Sequence, residues 1–215
     1  DAAKAAAARA LGNLACLNAA DRVLIAEAGA IPLLVELLRD GSAEAKLTVA
    51  RALHFLAYAA GNRVLIAEAH GIPPLVALLR DGNADAKLEA AAALRYLAYN
   101  AANKVLIAEA GGIPLLVDLM RDRSTTDANQ WAACALRHLA RNNDANQVAI
   151  AAALSLEALV ELVRRDRVIF EGNTLFSNAG GPAKRKASLV VAALLGGCVP
   201  DSVPRVLRAV IGSYL

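Results

Sequence analysis

Nine residues carry side chains suited to holding a partner: Arg9, Asn13, Arg51, His54, Phe55, Arg95, Tyr96, Arg137 and His138. Guanidinium and aromatic groups together favour carboxylates and ring stacking. Arg and Tyr are also enriched among the hot spots of protein interfaces. This is binding chemistry. No nucleophile–base pair, carboxylate pair or phosphate loop stands at a usable spacing, so an enzyme is not expected. Gly180-Gly181-Pro182-Ala183-Lys184 lacks the phosphate-loop spacing and follows no strand. His54, His70 and His138 have no ligand partners at metal spacing; solvated or capping roles are expected, with no metal and no cofactor. Cys16 and Cys134 fall among Ala and are expected to be small buried residues. Lys184-Arg185-Lys186 reads as a helix-start charge run rather than a nuclear-targeting cluster.

What must position these residues is an internal repeat. Val-Leu-Ile-Ala-Glu-Ala occurs at Val23–Ala28, Val64–Ala69 and Val105–Ala110, followed each time by Ile-Pro at 31–32, 72–73 and 113–114. The step of about 41 residues lies in the range of helical units stacked as a solenoid. A fourth, diverged copy carries Leu136-Arg137-His138-Leu139-Ala140 against Leu94-Arg95-Tyr96-Leu97-Ala98. Each unit reads as three helices. The first runs from about Asn62 to Ala69, with the Asx residue as its cap. A corner follows at Gly29, His70 or Gly111, where positive φ suits Gly and is open to His. Pro32, Pro73 and Pro114 open the second helix without losing a hydrogen bond. The third is the longest, Ala84 to about Tyr99, with Leu88, Leu94 and Leu97 interleaved with Ala that lets neighbouring helices close up.

Composition agrees. The chain has 215 residues, 57% hydrophobic and 4% aromatic, which excludes a disordered chain and leaves too little for a large sheet. The net charge of +3 gives no strong pull toward nucleic acid or anionic lipid. The longest apolar run, Ala187 to Pro200, is short of the roughly 20 residues of a membrane span. Three scattered Cys form no disulfide framework and fit an intracellular setting, cytoplasmic or nuclear.

Three helices per unit, the Gly corner, the Pro that opens the second helix and the segment Ala-Gly-Ala-Ile-Pro-Leu-Leu-Val at 28–35 resemble the armadillo repeat family. The resemblance implies an all-α fold, a right-handed α-solenoid of three-helix repeats. It divides the chain into about four units over residues 1–167, starting within a third helix, an irregular loop at 168–181, and a capping partial repeat at 182–215. The opening within a third helix points to a cut from a longer array or an unusual cap. The resemblance also implies that third helices line a concave face that holds an extended peptide. Peptide-binding members place a Trp and an Asn one turn apart on that face. Here the Asn position holds Asn13, Phe55, Tyr96 and His138, and the Trp position Arg9, Arg51, Ala92 and Cys134. Only Asn13 matches, and Trp131 lies one turn earlier, so the ladder that nuclear-import receptors use for basic peptides does not carry over. The expected function is a non-enzymatic scaffold for an extended segment, acidic or aromatic-bearing, held by the nine residues. Its alternative is a structural spacer or self-associating array with an empty groove. At about 3.3 Å per extended residue and 8–10 Å per repeat, each repeat would address two to three ligand residues.

Overall fold

The computed structural model describes residues 2–122 and 126–154. Among them the regular structure is entirely helical, an all-α solenoid. Helix α1 (Ala2–Leu17) stands alone as a third helix. Three copies follow: α2 (Ala19–Glu27), α3 (Ala30–Asp40) and α4 (Ala43–Leu56); α5 (Ala60–Glu68), α6 (Ile72–Asp81) and α7 (Ala84–Leu97); α8 (Ala101–Glu109), α9 (Gly112–Arg121) and α10 (Thr126–Ala140). Helix α11 (Asp144–Ala153) opens the fourth. The chain separates into two compact units, Asp1–Leu139 and Ala140–Leu215. The loop expected at 168–181 and the capping repeat at 182–215, with Cys198 and Lys184-Arg185-Lys186, lie outside the described residues.

Local chemistry sets the boundaries. Third helices α4 and α7 start on Ser42 and Asn83, whose side-chain oxygens accept from the amides of Ala45 and Ala86. Both corners at Gly29 (φ 75°) and Gly111 (φ 77°) are left-handed, and His70 adopts the same conformation at φ 58°. The expected Asx cap moves. Asn18 and Asn100 cap α2 and α8, and α5 begins after Ala59 with no side-chain cap. Asn62 instead lies inside α5, buried, where Nδ2 donates to Arg22 O (2.8 Å) and Leu56 O (3.0 Å). Asn103 repeats this with Arg63 O (3.0 Å) and Leu97 O (3.2 Å). A buried amide that bridges two carbonyls is worth more to the chain than one at a solvated helix end, because it joins consecutive copies.

The core of the first unit runs between the third helices and their flanking pairs. Leu53, Leu56, Leu94 and Leu97 are fully buried, as are Ala52, Ala90 and Ala93, while Leu88 is half-buried. Small residues bring α1 onto α4: a Cβ at Gly12 would sit 3.3 Å from Ala52 Cα. Arg22 and Arg63 close third helices α1 and α4 from the next copy. Arg22 Nε donates to Ala15 O (2.6 Å), and Arg63 Nε and Nη2 donate to Ala57 O (2.8 Å) and Tyr58 O (2.9 Å). In the second unit, Asn143 caps α11 through the Asn146 amide, and Gln147 Nε2 donates to Ala140 O at 2.8 Å. Its position in the copy is that of Arg63.

Candidate functional site

Third helices α4, α7 and α10 carry a band of rings in the first unit. His54 stacks on Phe55 (centroids 4.7 Å apart) and on Tyr96 (5.6 Å). Tyr58 meets Tyr96 at 4.2 Å, and Tyr99 meets His138 at 4.2 Å. Trp131 reaches across to His54 at 5.6 Å and to Tyr96 at 6.4 Å. The spacing behind this is the repeat itself. Phe55, Tyr96 and His138 occupy one position of the third helix; Tyr58 and Tyr99 follow three residues later, in the turns just past the ends of α4 and α7.

Cations are threaded through the rings. The Arg95 guanidinium lies 4.5 Å from the Tyr96 centroid and 4.9 Å from that of Trp131, and its Nη1 donates to the Tyr96 hydroxyl at 2.8 Å. Its Nε finds no hydrogen-bond acceptor among the described residues. Arg22 covers Tyr58 at 4.7 Å and Arg63 covers Tyr99 at 5.1 Å.

Beneath the rings sits Glu89, buried on α7. Its Oε1 accepts from Arg51 Nε at 2.7 Å, and its Oε2 from His54 Nδ1 at 3.0 Å. A carboxylate only accepts, so the His54 proton stands on Nδ1 and Nε2 faces the Tyr58 hydroxyl at 3.3 Å. Burial pushes the Glu89 carboxyl up. The hydrogen bonds from His54 and Arg51, with their charges, outweigh it and hold the carboxyl below its ordinary range. Burial, reinforced by the hydrogen bond and charge of Tyr96, pushes the Tyr58 phenol up to about 12 against the pull of Arg22 and Arg95.

The nine expected residues therefore divide. His54, Phe55, Arg95, Tyr96 and His138 join one band, and Arg51 is tied to it through Glu89. Arg9 pairs instead with Glu44 at 2.7 Å on the exposed side of α1 and α4. Asn13 and Arg137 are exposed, and no contact joins either to the rings among the described residues. His54 and His138 are not solvated: both are buried, because ring stacking and the Glu89 bond supply what water would. Cys16 also departs from expectation and is exposed. It occupies the position of Tyr58 and Tyr99, on the ring face rather than in the Ala stripe. Glu89, Tyr58 and Tyr99 were not among the nine. The recurrence of Tyr at 58 and 99 was a legible signal; Glu89, where the preceding copy has Thr48, was not.

Elsewhere in this unit, a recess of about 300 Å³ between α1 and α3 is walled by residues such as Ala7, Leu11, Leu33 and Leu37, with Lys4, Glu36 and Asp40 the charged residues lining it. No cluster of metal-ligating side chains occurs among the described residues. No helix among them is long and apolar enough to cross a membrane.

The sequence model of the armadillo/beta-catenin-like repeat matches residues 18–57 and 60–99. No curated protein matches the chain. Solved structures do. An engineered protein of the Northeast Structural Genomics Consortium is 25% identical with a TM-score of 0.73, over 98% of this chain and 88% of that one. A computationally designed armadillo repeat protein for modular peptide recognition is 23% identical with a TM-score of 0.70, over 97% and 80%. A designed armadillo repeat protein in complex with the peptide (KR)4 is 23% identical with a TM-score of 0.69, over 97% and 80%. At that identity the last two likenesses are of fold.

Proposed function

We propose that this chain, whose residues 18–57 and 60–99 match the armadillo/beta-catenin-like repeat, is a non-enzymatic scaffold that holds an extended peptide along the ring band of α4, α7 and α10. The half-exposed part of the band is the observation that carries this reading. Phe55, Tyr96 and Trp131 are half-buried, and Tyr99 is 46% exposed. Stacking and guanidinium contacts hold these rings in place, and the parts they leave uncovered remain exposed for a ligand. Such pre-organisation lowers the ordering cost of binding. Helices 8–10 Å apart meet two to three residues of an extended chain each.

The ligand's chemistry follows from which cations are already neutralised. Arg9 and Arg51 share the carboxylates of Glu44 and Glu89. Arg95 and Arg137 have no carboxylate partner among the described residues. An acidic segment bearing an aromatic side chain supplies both the missing charge and a stacking partner.

Trp131 is the chain's single Trp and reports from within the band. Titration of its fluorescence with a library of extended acidic, basic and neutral peptides should select acidic, aromatic-bearing ones. Tyr99→Ser with Arg137→Glu, both at exposed positions, should weaken each hit by about tenfold or more. Unchanged affinity in that variant refutes the proposed face. A library without hits, together with concentration-dependent light scattering, favours the spacer or self-associating array.

A further inference from the structure

The first helices carry a second surface. Their inward side is secured by Ile25, Ile66 and Ile107, all buried. Their outward side repeats an apolar pair, Val23-Leu24, Val64-Leu65 and Val105-Leu106, each residue 40% to 60% exposed. The core does not use these pairs, and they recur in register on α2, α5 and α8. Single exposed hydrophobes are ordinary; a row of six on packed neighbouring helices forms a ridge of the kind that marks an interaction site.

Beside the ridge runs a row of charge. Glu27, Glu68 and Glu109 lie three residues after the Leu of each pair, on the same helical face. All three are exposed, and none has an ion-pair partner among the described residues.

We propose that this ridge docks an amphipathic helix of a partner protein, laid across α2, α5 and α8, with a basic residue once per heptad. Packed helices repeat every 8–10 Å, and seven residues of a helix advance about 10.5 Å. A heptad pattern therefore presents the same apolar face to each Val-Leu pair and one Lys or Arg to each Glu. An extended segment does not fit. About three residues span one repeat, and after an odd number the side chain points away. A second copy of this chain would bring Glu toward Glu, and an anionic membrane would meet the same repulsion. None of the six ridge residues or the three Glu belongs to the ring band, although Arg22 and Arg63 of the same helices reach it, so the peptide reading can fail without touching this one.

The test uses the whole chain and two fluorescein-labelled helical peptides of three heptads. One carries a Leu pair and a Lys per heptad; its twin carries Glu in place of Lys. Anisotropy should show the Lys peptide bound and the Glu peptide free. Leu24→Gln, Leu65→Gln and Leu106→Gln together should remove binding. Glu27→Lys, Glu68→Lys and Glu109→Lys together should reverse the preference, by about tenfold in each direction for three exposed pairs. All substitutions are at exposed positions, and far-ultraviolet circular dichroism checks that helicity is kept. The proposal is overturned if neither peptide binds, if the charge-reversed protein keeps the original preference, or if sedimentation shows the ridge pairing copies without any peptide.

Discussion

Replacement of Asn103 by Ala gives the sharpest test of how consecutive copies are joined. The side chain is 2% exposed, and its amide donates to Arg63 O on α5 and Leu97 O on α7. Leu97 O also accepts from the Asn100 amide at 3.1 Å, so it does not become an orphan when Asn103 is removed. The loss is then the net worth of two hydrogen bonds, about 1 kcal/mol each and about 2 kcal/mol together, rather than the larger penalty for stranded groups. With a urea dependence of about 2 kcal/mol/M, the unfolding midpoint should fall by about 1 M. Asn62→Ala should do the same through Arg22 O and Leu56 O. The two pairs share no partner, so the double variant should lose the sum. The first copy supplies a control. Asp21 occupies the position of Asn62, and its Oδ1 accepts from Asn18 Nδ2 at 3.3 Å in an exposed setting. Asp21→Asn should therefore stay within about 0.5 kcal/mol of the parent. Urea titrations followed at 222 nm measure all four variants. An Asn103→Ala midpoint within about 0.2 M of the parent would refute the bridge as a source of stability.

The corners and the buried carboxylate give two further tests. Gly71→Ala would place a Cβ 2.9 Å from Ile66 Cγ2 and 3.0 Å from Ile66 O, across the bond from the Gly71 amide to Ile66 O. Thermal unfolding should show a loss of about 1–3 kcal/mol. His70→Gly should raise the melting temperature, because a left-handed non-Gly residue costs about 1 kcal/mol or more; equal melting temperatures would contradict the strain at φ 58°. The hydrogen bonds from His54 and Arg51 hold the Glu89 carboxyl below its ordinary range in the folded chain, so its contribution is complete above the unfolded value and disappears as pH falls through the folded one. Glu89→Gln should be less stable at neutral pH, and urea midpoints should show the gap to the parent narrowing in acid. A constant gap down to about pH 3 would contradict the pairing with Arg51 and His54.

Periodicity made the architecture legible before any coordinates. Three copies of Val-Leu-Ile-Ala-Glu-Ala, Gly or His at the corner and Pro after it fix three helices per unit and their order. The left-handed corner at His70 follows from register with Gly29 and Gly111. Helix starts were less legible, because an Asx residue serves equally as a cap or as a buried bridge. At 62 the choice goes to the bridge, since a neighbouring copy puts a carbonyl within reach; at 100 it goes to the cap. Sequence has no access to that neighbour. The same limit applies to the ring band. Phe55 and Tyr96 could be aligned on one wall, but Arg51 and His54 looked free until α7 brought Glu89 beneath them. Pairing across copies depends on side-chain reach and not on period.

The two faces of the first unit differ in how they vary, and that difference bears on what each can recognise. Along the third helices the copies diverge: Arg9 and Arg51 each meet a carboxylate of the next third helix, whereas Ala92 takes their place on α7 and Trp131 enters beside Arg95. A face whose chemistry changes at every step is suited to a ligand with one register and one direction. Along the first helices the chemistry is constant, Val-Leu followed by Glu three times. A constant face accepts any partner of matching period and allows it to shift by a whole repeat at little cost. Substitutions should separate the two kinds of recognition: a single change on the ring band should alter selectivity among peptides, while a single change on the ridge should lower affinity by a share and leave selectivity in place.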